Sequence, residues 1–127
     1  MARIRLDEWM VDYRRKTGGR VASMTYRLYG TRTSRDPHYI GRSDSPTTRI
    51  SKHKANNGDC CEHHLVYVGY KIHKNTGRNR DRKKKAFRAE CRDYHKFTPP
   101  CNLKHPDGRG IPRGTRCPVQ GCNHTCQ

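Results

Sequence analysis

The chain carries 28 Lys and Arg against 11 Asp and Glu, a net charge of +17 over 127 residues, so any compact form of it must hold together against its own repulsion. Only 31% of the residues are hydrophobic and the mean hydropathy is -1.20, which leaves material for one small core. An anionic partner is the simplest relief, because each phosphate neutralised by Lys or Arg releases a counterion and favours binding. A membrane surface is the rival anion. No stretch approaches the roughly 20 apolar residues that span a bilayer, and the basic segment Met1 to Arg5 is not followed by a signal-peptide apolar run. The expectation is therefore a soluble intracellular protein, cytoplasmic or nucleoid-associated, with nucleic acid as its partner and no membrane. Charge does not separate an enzyme from a structural or ribosome-associated RNA binder.

Seven cysteines without a secretion signal argue against a disulfide framework and for metal ligation, since an odd number cannot all pair internally. Cys60 and Cys61 stand apart, whereas Cys91, Cys101, Cys117, Cys122 and Cys126 crowd the last third with His95, His105 and His124. Cys101-x3-His105 and Cys117-x4-Cys122 form two ligand pairs around a Pro- and Gly-rich loop, a donor set suited to tetrahedral structural Zn2+. Cys91-x3-His95 places two further donors on one helical face, so Cys91 or His95 is an alternative fourth ligand, with His124 and Cys126 as outsiders. The opposing view is a disordered tail with free thiols.

Along the chain, Leu6, Trp9, Met10 and Tyr13 fall on one helical face before the break Thr17-Gly18-Gly19. Met24, Tyr26 and Leu28 alternate with Ser23, Thr25 and Arg27, the period of a strand with one apolar face, and His38 to Gly41 follows as its hairpin partner. Ser43 or Asp44 offers a cap and Pro46 a first turn for a helix running to Ala55. Val66, Val68, Tyr70 and Ile72 mark a third strand. Arg82 to Phe97 is the longest helix, with Phe87, Cys91 and Tyr94 as its apolar stripe and Pro99-Pro100 as its stop. Glu90 sits on or beside that stripe and needs a cationic partner, either a nearby Arg or Lys or a divalent ion.

Met24-Thr25-Tyr26, then Tyr39-Ile40-Gly41, then Arg49 ten residues after Tyr39, then Glu90 in a helix, resembles the GIY-YIG nuclease superfamily over about Val21 to Phe97. Met24 and Thr25 stand where Gly and Ile are usual. The resemblance implies an α/β (α+β) domain in which a three-stranded antiparallel sheet is flanked by helices, within an organisation of residues 1–20 as a basic extension with a short helix, 21–98 as the nuclease-like domain and 99–127 as an irregular zinc-stapled tail. Small proteins of this kind end in a similar His-Pro then Cys-Pro segment, here His105-Pro106 and Cys117-Pro118.

The implied activity is a metal-dependent endonuclease hydrolysing phosphodiesters, on DNA before RNA. Glu90 would hold Mg2+ or a similar divalent cation, Arg49 would clamp the scissile phosphate, and Tyr26, with Tyr39, would orient or deprotonate the water. For Tyr26 to act as a base, Arg49 and the cation must favour its phenolate. His53, one turn after Arg49, can donate to phosphate or share the base role. Arg42, Lys52, Lys83, Lys84 and Lys85 are the expected nucleic-acid contacts. The leading rival is a non-catalytic nucleic-acid binder, such as a ribosome-associated RNA binder that kept the fold. A third, a protein-interaction adaptor using the tail, leaves the charge without a use.

Overall fold

The computed structural model describes residues 2–20, 22–55, 59–60, 63–73 and 79–127. A short strand β1 (Arg3–Arg5) and a 3-10 turn (Leu6–Glu8) lead into α1 (Trp9–Thr17), followed by β2 (Ser23–Tyr29), β3 (Tyr39–Ser43), α2 (Pro46–Ala55), the short pair β4 (Asp59–Cys60) and β5 (His63–His64), β6 (Tyr67–His73) and α3 (Asn79–Phe97). The fold is α+β, and the main sheet has four antiparallel strands in the order β1-β6-β2-β3, not three. The extra strand pairs Arg3 with Gly69 and Arg5 with Tyr67. Three residues reading Arg-Ile-Arg carry too little alternation to register as a strand. The residues read as an extension thus complete the sheet, and Leu6, Trp9 and Tyr13 enter its core.

One sheet face behaves as the alternation of β2 requires. Met24, Tyr26 and Leu28 join Val68 and Tyr70 from β6 and are covered by Trp9 and Tyr13 of α1 and Ile50 of α2, a core dominated by aromatic and aliphatic area. Gly18 ends α1 in the left-handed conformation at φ 63°, its N–H bonded to the Arg14 carbonyl at 2.8 Å, the usual use of glycine past a helix end.

The other face is polar but not solvated. Ser23 and Thr25 are buried and Arg27 is half-buried, because α3 lies across them and supplies polar partners. Thr25 Oγ1 donates to the Ala86 carbonyl at 3.1 Å and lies 2.8 Å from His73 Nε2. Arg27 grips Asp93 with a two-pronged ion pair at 2.7 and 2.8 Å, and Arg82 Nε donates to Ser23 Oγ at 3.1 Å. Burial and the nearby Lys71 and Lys85 charges push His73 down to about 4, so it is neutral at pH 7 and a structural link.

With its polar side spent on the sheet, α3 turns its apolar stripe outward, and the C-terminal segment covers it. Phe87 and Cys91 form a second core with Ile111, Cys117 and Cys126. The segment is folded: Arg116 and Thr125 form a β-bridge, and Cys117 N and Cys126 N donate to the His124 and Thr115 carbonyls at 3.1 and 2.8 Å. Asn102 closes part of the exposed edge of β3, its side-chain amide accepting from Ile40 N and donating to Ile40 O, both at 2.8 Å.

Phe87→Ala should therefore loosen the tail more than the sheet, at a cost of about 3–5 kcal/mol. Limited trypsin digestion is expected to cut first among Arg109, Arg113 and Arg116 in the variant; a tail as resistant as the parent's would contradict this packing.

Candidate functional site

A cleft of about 530 Å³ opens at the β3 edge, lined among others by Tyr39, Arg42, Arg49, Glu90 and Asp107. Residues from both sheet faces meet here because β3 is the last strand: Tyr39 and Arg49 approach from the α2 side, Arg42 and Glu90 from the α3 side.

On the α2 side the register of the hairpin decides the geometry. Tyr26 pairs directly opposite Gly41, and a Cβ at Gly41 would lie 2.4 Å from Tyr26 Cζ and Oη. The missing side chain is what lets the phenol reach toward α2. There Arg49 Nε donates to Tyr26 Oη at 3.2 Å and Arg49 Nη2 to Tyr39 Oη at 3.1 Å. His53, one helical turn from Arg49, places Nε2 3.0 Å from Tyr26 Oη and its ring edge-on to Tyr39 with centroids 5.4 Å apart. Four of the side chains singled out in the sequence thus form one hydrogen-bonded group.

Their depths differ. Tyr26 is fully buried, and neither it nor His53 lines the cleft; they sit behind Arg49 and Tyr39. Burial pushes the Tyr26 phenol upward, the neighbouring Tyr39 adds to this, and the Arg49 charge opposes it and loses. The expected phenolate is therefore not the favoured form, since the desolvation of a fully buried anion outweighs one half-exposed cation. Burial and the Arg49 charge hold His53 down at about 4, leaving it neutral at pH 7 and a hydrogen-bond partner of the Tyr26 hydroxyl rather than a base for it.

On the α3 side Glu90 is largely buried, its Oε1 3.6 Å from Arg42 Nε. That is an ion pair too long for a hydrogen bond, and Arg42 Nε has no hydrogen-bond partner. Arg42 spends its other nitrogens on Asp44 Oδ2 at 2.9 Å and the Arg109 carbonyl at 2.7 Å. Burial raises the Glu90 carboxyl to about 7, with Arg42 opposing, Asp107 reinforcing and Arg49 opposing. A single carboxyl supplies at most two of the about six or more oxygens that a hard cation takes. Asp107, which the sequence reading passed over, faces the same cleft; its only signal was its place after His105-Pro106.

Of the cations expected to touch nucleic acid, Arg42 is the one that lines the cleft, and it is already committed. Lys52 opens with Thr48 and Ser51 on a separate shallow surface. Lys83, Lys84 and Lys85 lie in the first half of α3, Lys83 two turns from Glu90 on the same side and Lys85 exposed, with its charge still felt at His73.

The second constellation lies where α3 meets the tail. His95, His105, Cys117 and Cys122 bring one donor atom each within 4.8 Å of one another, a group that can hold a metal ion. His95 Nε2 is buried with no hydrogen-bond partner. His105 Nδ1 lies 2.8 Å from the Pro106 carbonyl, and its Nε2 3.5 Å from Cys122 Sγ. Donation from Nδ1–H fixes the tautomer that leaves Nε2 as a ligand, the usual outer-shell arrangement of a metal-bound histidine. Burial raises the Cys117 thiol, a penalty on the thiolate that a bound cation would offset. Cys101 is not in this group: it is disulfide-bonded, which also corrects the expectation of a chain without disulfides. Cys91 faces the second core instead. The fourth donor is His95, from the last turn of α3.

Comparisons with protein-family models, curated proteins and solved structures return no match. Function therefore rests on the geometry of this chain. Among the described residues, no helix is long and apolar enough to cross a membrane.

Elemental analysis should find about one tightly held transition-metal ion per chain, as a two-His, two-Cys group binds. Cys117→Ser or His95→Ala is expected to lose it and Cys101→Ser to keep it; the reverse pattern would exclude this ligand set.

Proposed function

We propose that this chain is a metal-dependent endonuclease of the GIY-YIG type, hydrolysing phosphodiester bonds in nucleic acid, DNA before RNA, with Zn2+ held structurally by His95, His105, Cys117 and Cys122. One observation carries the reading: Tyr39 and Arg49, close in the sequence, and Glu90, from the distant helix α3, border a single cleft, with Tyr26 and His53 hydrogen-bonded behind them. Two histidines and two thiolates in a compact folded tail suit Zn2+ better than a hard cation.

In this reading Arg49 meets the scissile phosphate. Its Nε and Nη2 are fixed by two phenols, so the guanidinium plane is set before substrate arrives and its remaining N–H groups can take phosphate oxygens without reorganising. Tyr39 accepts from Arg49 and keeps its own hydroxyl proton to orient a water at the cleft. Tyr26, hydrogen-bonded to His53, braces Arg49 rather than meeting the water itself. A divalent cation on Glu90 would offset charge on the phosphate and leaving oxygen. The rival reading, a non-catalytic nucleic-acid binder, draws its support from the raised and fully covered Tyr26 phenol.

Plasmid nicking in Mg2+ separates them. Glu90→Ala and Arg49→Ala are each expected to slow nicking by about 10²–10³-fold while Glu90→Ala still binds DNA. Equal nicking by Glu90→Ala and parent would indicate a contaminant and favour the binder.

The pH dependence has a defined sign. Glu90 titrates near about 7 instead of the 4.5 of a free carboxyl, so at limiting Mg2+ nicking should rise as pH passes through about 7 and then level off. Because the folded-state value is raised, this group's contribution to stability is complete below about 4.5 and is lost as pH rises through about 7. Denaturant titrations of parent and Glu90→Gln should show the parent losing stability relative to the variant over that window. A constant difference between them would contradict the burial argument.

A further inference from the structure

The cleft has a second wall that the nuclease reading does not use. It is the segment 104–109, and it is fastened at several points to the metal cluster and the second core. His105 belongs to the ligand group. Pro106 and Gly108 are buried. Gly108 holds φ 73°, and a Cβ there would lie 2.3 Å from Cys126 Sγ and 3.2 Å from the Phe87 ring, so this turn is seated against the second core and accepts only glycine. Asp107 Oδ1 accepts from Arg109 N at 3.0 Å, and the Arg109 carbonyl accepts from Arg42 Nη2 at 2.7 Å. The backbone of the wall is thereby tied both to the metal cluster and to the residue that faces Glu90.

Two cations stand on this braced wall, Lys104 and Arg109, both exposed and both lining the cleft. Neither side chain has a carboxylate partner in an ion pair among the described residues. The other cleft arginines are differently placed: Arg42 is held by Asp44 and faces Glu90, and Arg49 is held by the two phenols. Uncommitted cations on a rigid wall beside an arginine aimed at one phosphate are suited to the neighbouring phosphates of the same strand, where contacts fix position without reading sequence.

We propose that Lys104 and Arg109 form a backbone-phosphate subsite on the second wall of the cleft, and that the tail metal, through His105, is the positioning element that holds this subsite at the nuclease centre. The inference deepens the nucleic-acid reading of the cleft and rests on it. Metal occupancy then governs affinity for nucleic acid, and the metal is not only a fold staple. Lys104 and Arg109 contact substrate, and His105 acts through them.

The test uses the full chain carrying Glu90→Gln, so that binding is read without cutting, and a short duplex DNA whose affinity is followed by fluorescence anisotropy across a salt series. Lys104→Ala and Arg109→Ala should each lower the slope of log affinity against log salt by about 0.9, and the double variant by about twice that. His105→Ala, shown to have lost metal, should reproduce the double variant's slope, and His105→Cys, shown to have kept metal, should restore the parent's. Lys104 and Arg109 are exposed, so their variants fold whatever His105→Ala does. A double variant with the parent's slope overturns the subsite; metal-free His105→Ala with the parent's slope overturns the positioning role. The nuclease reading fails separately: a chain with wild-type Glu90 that binds with a steep salt dependence but nicks nothing in Mg2+ leaves the slopes to support the subsite, while cleavage with unchanged slopes removes the subsite alone.

Discussion

Helix α3 is the member on which both candidate sites depend, because it is claimed by two layers at once. Its polar side, through Arg82, the Ala86 carbonyl and Asp93, satisfies buried groups on β2, and its apolar side, through Phe87 and Cys91, meets the tail. A buried Arg27–Asp93 pair contributes little net stability against well-packed apolar residues, but losing one partner strands the other. Such a contact therefore fixes where the helix sits more than how firmly. Glu90 lies between these two faces, which is why it opens on the cleft and on neither layer.

The two ends of the cleft follow different physical logic. On the α2 side, a glycine gap, a buried phenol and an arginine make a pre-set arrangement whose cost is desolvation, visible in the upward push on Tyr26 and the downward push on His53. On the α3 side, a carboxyl is kept near neutrality in its proton equilibrium by burial against two arginines. Groups whose environments drive their titrations apart in one cleft are a frequent mark of chemistry, though structural ion-pair networks produce them too.

Much of the frame was legible because it is local. The alternation of β2, the Pro46 start of α2 and the stripe of α3 each occupy one stretch of chain, and Arg49 and His53 share a helical face by spacing alone. Contributions from distant segments were not legible. The partners of β2's polar face, the Ala86 carbonyl and Asp93, come from more than 60 positions away. In the His/Cys group, His105, Cys117 and Cys122 stand in the tail's own spacing and His95 was already an alternative from Cys91-x3-His95; what the spacing left open was the choice between Cys101, Cys91 and His95, which is decided by the second core laying the tail along α3 and by the disulfide at Cys101. Three residues of β1 are too few to carry a period. Lys104 and Arg109 had no pattern to mark them, and Asp107 only its place after His105-Pro106, since a cleft wall is defined by what lies across from it.

The amide of Asn102, bonded both ways to Ile40, bears on what the outer strand of the sheet offers to another copy of the chain. An uncovered outer strand invites a neighbour's strand to dock alongside it. Asn102 imitates a single residue of an adjoining strand and then stops, so the ladder is finished where the cleft begins. A foreign strand would have to displace this amide before it could pair with Ile40, next in the chain to the cleft residue Tyr39.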